Sequence, residues 1–202
     1  MVINVIGDCD KRPVLYTMMK ICQTLGDVLF VTDNTSMLRL SDTRENYGHY
    51  QNTMIAITQE GIDDFFENFA YALEDFEYMI VDNIPIAEAD LVVYVEGMVQ
   101  SQNELDILEY VEEYKTIPLY KGSLVSGSTL RNLEIFEAFR DMHPIGDKVG
   151  EAVAKLLSDA LGKDPKMIKE IAMQENPLPD TSGNAMSKKQ SIIGKVKVNF
   201  KK

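Results

Sequence analysis

Two rhythms of apolar and polar residues alternate between Val2 and Tyr120. Short, nearly uninterrupted apolar runs are separated by longer stretches in which apolar residues recur every three or four positions. The first rhythm belongs to strands buried on both faces, the second to helices that lay one side on them. Val2–Ile6, Asp27–Asp33, Met54–Thr58, Tyr78–Asp82, Leu91–Val95 and Ile117–Tyr120 read as strands. After Pro13, the spacing of Val14, Leu15, Met18, Met19, Cys22 and Leu25 predicts a helix, closed by Gly26 in the C′ position that glycine favours. Ile62, Phe65, Phe66, Phe69, Leu73 and Phe76 line one face of the clearest helix in the chain, with acids on the other. A further helix is predicted from about Gln102 to Tyr114, and residues 34–52 read as loop or a short irregular element.

Strands and helices in turn imply right-handed crossovers, hence an α/β fold with a doubly wound, mostly parallel sheet flanked by helices. After Lys121-Gly122-Ser123 only helical spacing remains, over about 128–142, 147–161 and 165–174. The expected organisation is one α/β domain over 1–174, helical from about 128. A flexible linker rich in Pro, Ser, Gly, Asn and Asp follows over 175–190, and a C-terminal interaction segment over 191–202.

Composition supports one globular domain: 202 residues, 45% of them hydrophobic, suffice for a full core. Cys9 and Cys22 belong to no C-x-x-C pair or Cys/His cluster, and His49 and His143 supply no ligand spacing, so no metal is expected. The opening residues do not read as a basic and apolar leader, so none is expected, and no apolar run approaches the roughly 18–20 residues of a membrane span. A soluble, cytoplasmic protein with reduced thiols is the expectation.

Charge divides the chain. The net charge of −12 argues against nucleic-acid binding by the body. From Glu45 to Tyr114 there is no lysine or arginine, while acids recur along the helical stretches, which leaves no local counter-charge for i,i+4 pairing. The end of the chain has the opposite sign, with Lys188, Lys189, Lys195, Lys197, Lys201 and Lys202 and no acid among them. Solvated helix faces are one reading of the acids, and a basic partner is the other.

The candidate chemistry begins after the first strand. Gly7-Asp8-Cys9-Asp10-Lys11-Arg12-Pro13 is a strand–loop–helix frame of the kind that holds a nucleotide phosphate on helix N-terminal N–H groups. A phosphate cradle needs further glycines and a lysine followed by a hydroxyl, and this loop has neither. Asp8 and Asp10 stand where an anion would sit, leaving Gly7, Lys11 and Arg12 as a degenerate candidate site. Cys9 lies near a helix N-terminus, which lowers a thiol pKa, but it has no histidine partner and is flanked by carboxylates, so it reads as a plain loop cysteine. Tyr47, His49 and Tyr50 read as a polar aromatic loop cluster without a catalytic role.

The opening strand with Gly7, Val31-Thr32-Asp33-Asn34, Phe76-Glu77-Tyr78-Met79-Ile80-Val81-Asp82 and Ala87-Glu88-Ala89-Asp90-Leu91-Val92-Val93 follow one another in an order that resembles the ParA/MinD family of deviant P-loop ATPases. The resemblance covers roughly residues 1–120. It implies a role for an aspartate such as Asp33 in water activation, and for one such as Asp82 at the end of the strand that supports magnesium. Both also read as polar strand ends that cap the following loops. The family's glycine-rich loop and lysine–hydroxyl pair are absent here. The resemblance therefore implies a non-catalytic adaptor or scaffold with no cofactor, which binds a protein partner or self-assembles in positioning or building a larger machine. The alternative is a divergent ATPase that uses Lys11 or Arg12 with ATP and magnesium.

The C-terminal segment carries the expected contact. Val196, Val198 and Phe200 alternate with Lys195, Lys197 and Asn199, which suits a strand added to a sheet edge, with Ile192 and Ile193 leading into it. Ile192, Val196 and Phe200 are also spaced for an amphipathic helix on a membrane, as in relatives similar to MinD, but Gly194 and the β-branched residues weaken that reading. A disordered tail without function is the third reading. Docking on a protein partner, or on the acidic face of a neighbouring copy, is the expectation taken forward.

Overall fold

The computed structural model describes residues 1–35, 37, 47–50, 52–58, 66–67, 71–84, 86, 88–118, 148–168 and 170. Seven strands form one sheet: β1 (Val2–Ile6), β2 (Val28–Thr32), β3 (Tyr47–Tyr50), β4 (Thr53–Ile57), β5 (Tyr78–Asp82), β6 (Leu91–Glu96) and β7 (Lys115–Pro118). Their spatial order is β3-β4-β2-β5-β1-β6-β7, and every pairing is parallel except that of β3 with β4. From β1 the chain steps outward through β2 to β4, returns to insert β5 between β2 and β1, and then builds β6 and β7 on the far side. The protein is thus an α/β protein with a doubly wound, mostly parallel sheet.

Burial explains the apolar runs. β2 and β5 are buried at every position, and β1 is buried at all but its first residue. On one face of the sheet, Ile3 and Val5 meet Val14, Met18 and Cys22 of α1 (Arg12–Leu25), together with Val149, Val153 and Leu157 of α3 (Lys148–Leu161). On the other face, Leu29, Val31, Met54, Ala56, Met79 and Val81 form a second cluster, against which Phe66, Tyr71 and Phe76 pack. Fully burying each such side chain contributes roughly 1.5–3 kcal/mol.

Several local expectations are corrected. Residues 47–50 are not loop but the antiparallel edge strand β3, in register with β4 from Tyr47↔Ala56 to Tyr50↔Thr53. The helix expected to run through Phe76 is interrupted before it: Leu73–Asp75 is a single 3-10 turn, with Asp75 accepting the Ala72 N–H at 2.8 Å. The rest of that expected helix lies outside the described residues, apart from helical Phe66 and Glu67. The next helix, α2 (Gln102–Leu108), is shorter than expected, and Tyr110 beyond it is 89% exposed. β7 starts two residues early, at Lys115, and the Leu119-Tyr120 end of the expected strand lies outside the described residues. Gly26 does follow α1, but its backbone is extended, with φ 177, not left-handed. Its lack of a side chain serves a close approach, since a Cβ there would lie 2.9 Å from the Glu77 Cβ.

The expected helix over 147–161 is present as α3, and the described residues at 165–168 and 170 are helical. The helix expected at 128–142, the 175–190 linker and the 191–202 segment lie outside the described residues. Among the described residues, no helix is long and apolar enough to cross a membrane.

Candidate functional site

In a doubly wound sheet the crevice for a ligand opens at the carboxyl ends of the strands, where connections from neighbouring strands part to opposite sides. Here that edge is formed by Gly7 after β1, Asn83 after β5 and Gly97 after β6, because β1 lies between β5 and β6. Gly7 has φ +146, and a Cβ on it would lie 2.5 Å from the Val95 carbonyl oxygen. Glycine is therefore required here by the crossing of β6. Gly97 meets the same constraint from the other side, for its Cβ would lie 2.8 Å from that of Cys9.

The loop after Gly7 is occupied by carboxylates of its own chain. Glu104, from the first turn of α2, accepts the Asp8 N–H on Oε1 at 2.7 Å and the Ser101 N–H on Oε2 at 2.7 Å. The second bond belongs to a capping box, completed by the Glu104 N–H donating to Ser101 Oγ. Asp8 in turn accepts from the Ser101 hydroxyl and, at 3.2 Å, from Asn83 Nδ2. Asn83 closes the loop from the other flank: its Oδ1 accepts the Gly7 N–H at 2.9 Å and its Nδ2 donates to the Gly7 carbonyl at 3.0 Å. It does so from a left-handed backbone, φ 56, which asparagine tolerates better than most residues.

Both basic residues of the loop are neutralised locally. Lys11 Nζ lies 2.7 Å from Asp82 Oδ1, with side chains 6% and 7% exposed. By distance this is an ion pair, though neither atom has a hydrogen bond of good geometry among the described residues. The other Asp82 oxygen accepts the Thr32 hydroxyl at 2.9 Å. Arg12 turns to Asp10, with Nη2 2.5 Å from Oδ2 and Nε 2.7 Å from Oδ1. These hydrogen bonds hold the Asp10 carboxyl below its ordinary range. Cys9 donates its thiol to the Val95 carbonyl at 3.3 Å, and burial, outweighing the nearby Lys11 charge, pushes the thiol up.

Of the residues singled out in the sequence, Gly7, Lys11 and Asp82 are brought together, Arg12 joins at the rim, and Asp33 is exposed just beyond β2. The tail residues Ile192, Ile193, Lys195, Val196, Lys197, Val198 and Phe200 lie outside the described residues. Sequence reasoning missed Thr32, Asn83, Ser101 and Glu104. The Ser101-Gln102-Asn103-Glu104 stretch carried a usable signal, the capping-box spacing before an apolar run.

These residues do not fit a magnesium-bound triphosphate. An incoming phosphate would have to displace Asp82 from Lys11, Asp10 from Arg12 and Glu104 from the Asp8 N–H, and no glycine beyond Gly7 frees the loop backbone to approach it. The loop after Gly7 is closed over by side chains of its own chain. No family model matches the chain, and neither a curated protein nor a solved structure shows significant similarity to it.

Proposed function

We propose that this chain is a non-catalytic, ParA/MinD-like adaptor of the cytoplasm, whose α/β body serves as a scaffold and whose basic C-terminal segment engages a protein partner or another copy. The observation that carries this reading is the Glu104 carboxylate on the Asp8 N–H, beside a Lys11 already committed to Asp82. A loop whose Asp8 N–H and Lys11 charge are already engaged by its own carboxylates is a poor cradle for a nucleotide phosphate. The acid-rich body and acid-free tail supply the charge contrast for assembly.

Calorimetric titration of ATP, ADP and GTP with magnesium into the full-length protein tests the reading. No heat of binding is the expected result. Micromolar binding would overturn it in favour of a divergent ATPase and make Lys11 and Arg12 the first residues to replace. The partner half of the reading is tested by removing residues 187–202: the expected variant keeps the thermal transition of the full chain and loses partner capture or self-association.

A further inference from the structure

The opposite edge of the sheet does not close on itself. Where β1, β6 and β7 begin, the chain leaves a hollow of about 1060 Å³. Among the described residues, five carboxylates line it, Glu88, Asp90, Glu112, Glu113 and Asp159, against the single cation Lys115. Two of the five are engaged, since Asp90 accepts the Val2 N–H at 2.7 Å and Glu113 pairs with Lys115 at 2.6 Å. Glu88, Glu112 and Asp159 have no salt bridge among the described residues. Val2, Val92 and Leu156 give the hollow an apolar part.

Asn4 adds an independent demand. It lines this hollow, is 3% exposed, and its Oδ1 has no hydrogen-bond partner among the described residues. A buried amide oxygen is destabilising unless a donor reaches it. The hollow thus calls for an occupant with an N–H donor, several cations and apolar groups between them. Lys195, Lys197, Lys201 and Lys202, interleaved with Val196, Val198 and Phe200, have that chemistry.

Chain connectivity selects the occupant. Ile168 is buried in the cluster that holds Val153 and Leu157 of α3, and the last turn of the same helix, Asp159 and Ala160, forms one wall of the hollow. The chain leaves the described residues at Glu170, ten positions after Ala160 of that wall. A coil as long as the stretch from Glu170 to Ile192 has a root-mean-square span of about 25 Å, enough to reach across a small domain. Tethering at that range gives the chain's own segment an advantage over a second copy at ordinary concentrations.

We infer that residues Ile192–Lys202 dock in this hollow of their own chain, with the lysines on Glu88, Glu112 and Asp159 and the valines and Phe200 on its apolar part. This deepens the adaptor reading and rests on it, because a segment held on its own body is withheld from a partner until something displaces it. Carbodiimide coupling of the dilute full-length protein, which joins a lysine amine to a contacting carboxylate with loss of water, tests the docking when the monomer is mapped by mass spectrometry. The expected result is coupling of the tail lysines to Glu88, Glu112 or Asp159 within the monomer. That coupling is lost in the Glu112→Lys/Asp159→Lys variant and reduced in Asn4→Leu, which leaves every carboxylate in place, with both variants shown to be folded by circular dichroism. Coupling found only in dimers, directed to carboxylates elsewhere, absent altogether, or equal in both variants and the parent overturns the inference. Its failure with ATP still unbound refutes the docking alone, whereas ATP binding refutes the adaptor reading whatever the tail does.

Discussion

Lys11 and Asp82 meet at 2.7 Å beneath the loop that follows the first strand, both more than nine-tenths buried. They lie far apart in sequence and are neighbours because β5 inserts directly beside β1. Removing one partner of such a pair leaves an uncompensated buried charge, at a cost of about 3–5 kcal/mol. Lys11→Met and Asp82→Asn are each expected to destabilise by that amount in urea unfolding. The double variant should recover a substantial part of the loss, and full additivity would show that the contact is energetically idle.

Glu104 is expected to hold the loop as well as its own helix. Glu104→Ala frees the Asp8 and Ser101 N–H groups together, and the loss of each such partly buried hydrogen bond costs about 0.5–1.5 kcal/mol. Amide exchange should accelerate at both residues in the variant. Acceleration at Ser101 alone would mean that the bond to Asp8 is dispensable.

Gly7→Ala places a Cβ against the Val95 carbonyl from a backbone that L side chains rarely adopt. Strain of this kind costs on the order of 1–3 kcal/mol. A lowered thermal midpoint is expected, with the change at Gly162 as control: that glycine also has positive φ, 61, but nothing lies within 4 Å of its Cβ position.

The Asp10 carboxyl, held low by Arg12, gives a pH-dependent contribution of fixed sign. Its folded-state value lies below the ordinary 3.8, so its stabilisation is complete above 3.8 and is lost as pH falls through the lower value. Because Asp10 and Arg12 are partly exposed, the contribution is small. Thermal midpoints of the parent and Arg12→Gln should differ by a constant amount above about pH 5 and converge toward pH 2, each measured across the series.

How far the fold could be read in advance depended on the range of the signal. β1, β2, β4, β5 and β6 are nearly uninterrupted apolar runs, and their burial on both faces favours that pattern. β3 has four residues with Gly48 among them, and its place is set by pairing with β4, not by any periodicity of its own. Lys11 and Asp82 were both visible as candidates, but their ion pair depends on strand order, which no local spacing encodes. Glu104 looked like one more acid on an acidic helix. Its role appears only when α2 starts beside the loop after Gly7.

The two thiols should differ sharply in reactivity. Cys22 is fully buried and its thiol is pushed up to about 12, while Cys9 is half-buried and raised to a lesser degree. With Ellman's reagent at pH 8, Cys9 is expected to react more slowly than a free thiol, and Cys22 only after unfolding. Rapid reaction at Cys9 would contradict the burial of its sulfur under Val95.

The capping box of α2 shares its glutamate with Asp8, in the loop after β1, ninety-six positions earlier in the chain. A helix of only seven residues has little stability of its own, so its first turn and the β1 loop must persist or melt as one cooperative unit. Whatever pulls that loop open also loosens the start of α2, because Glu104 holds both.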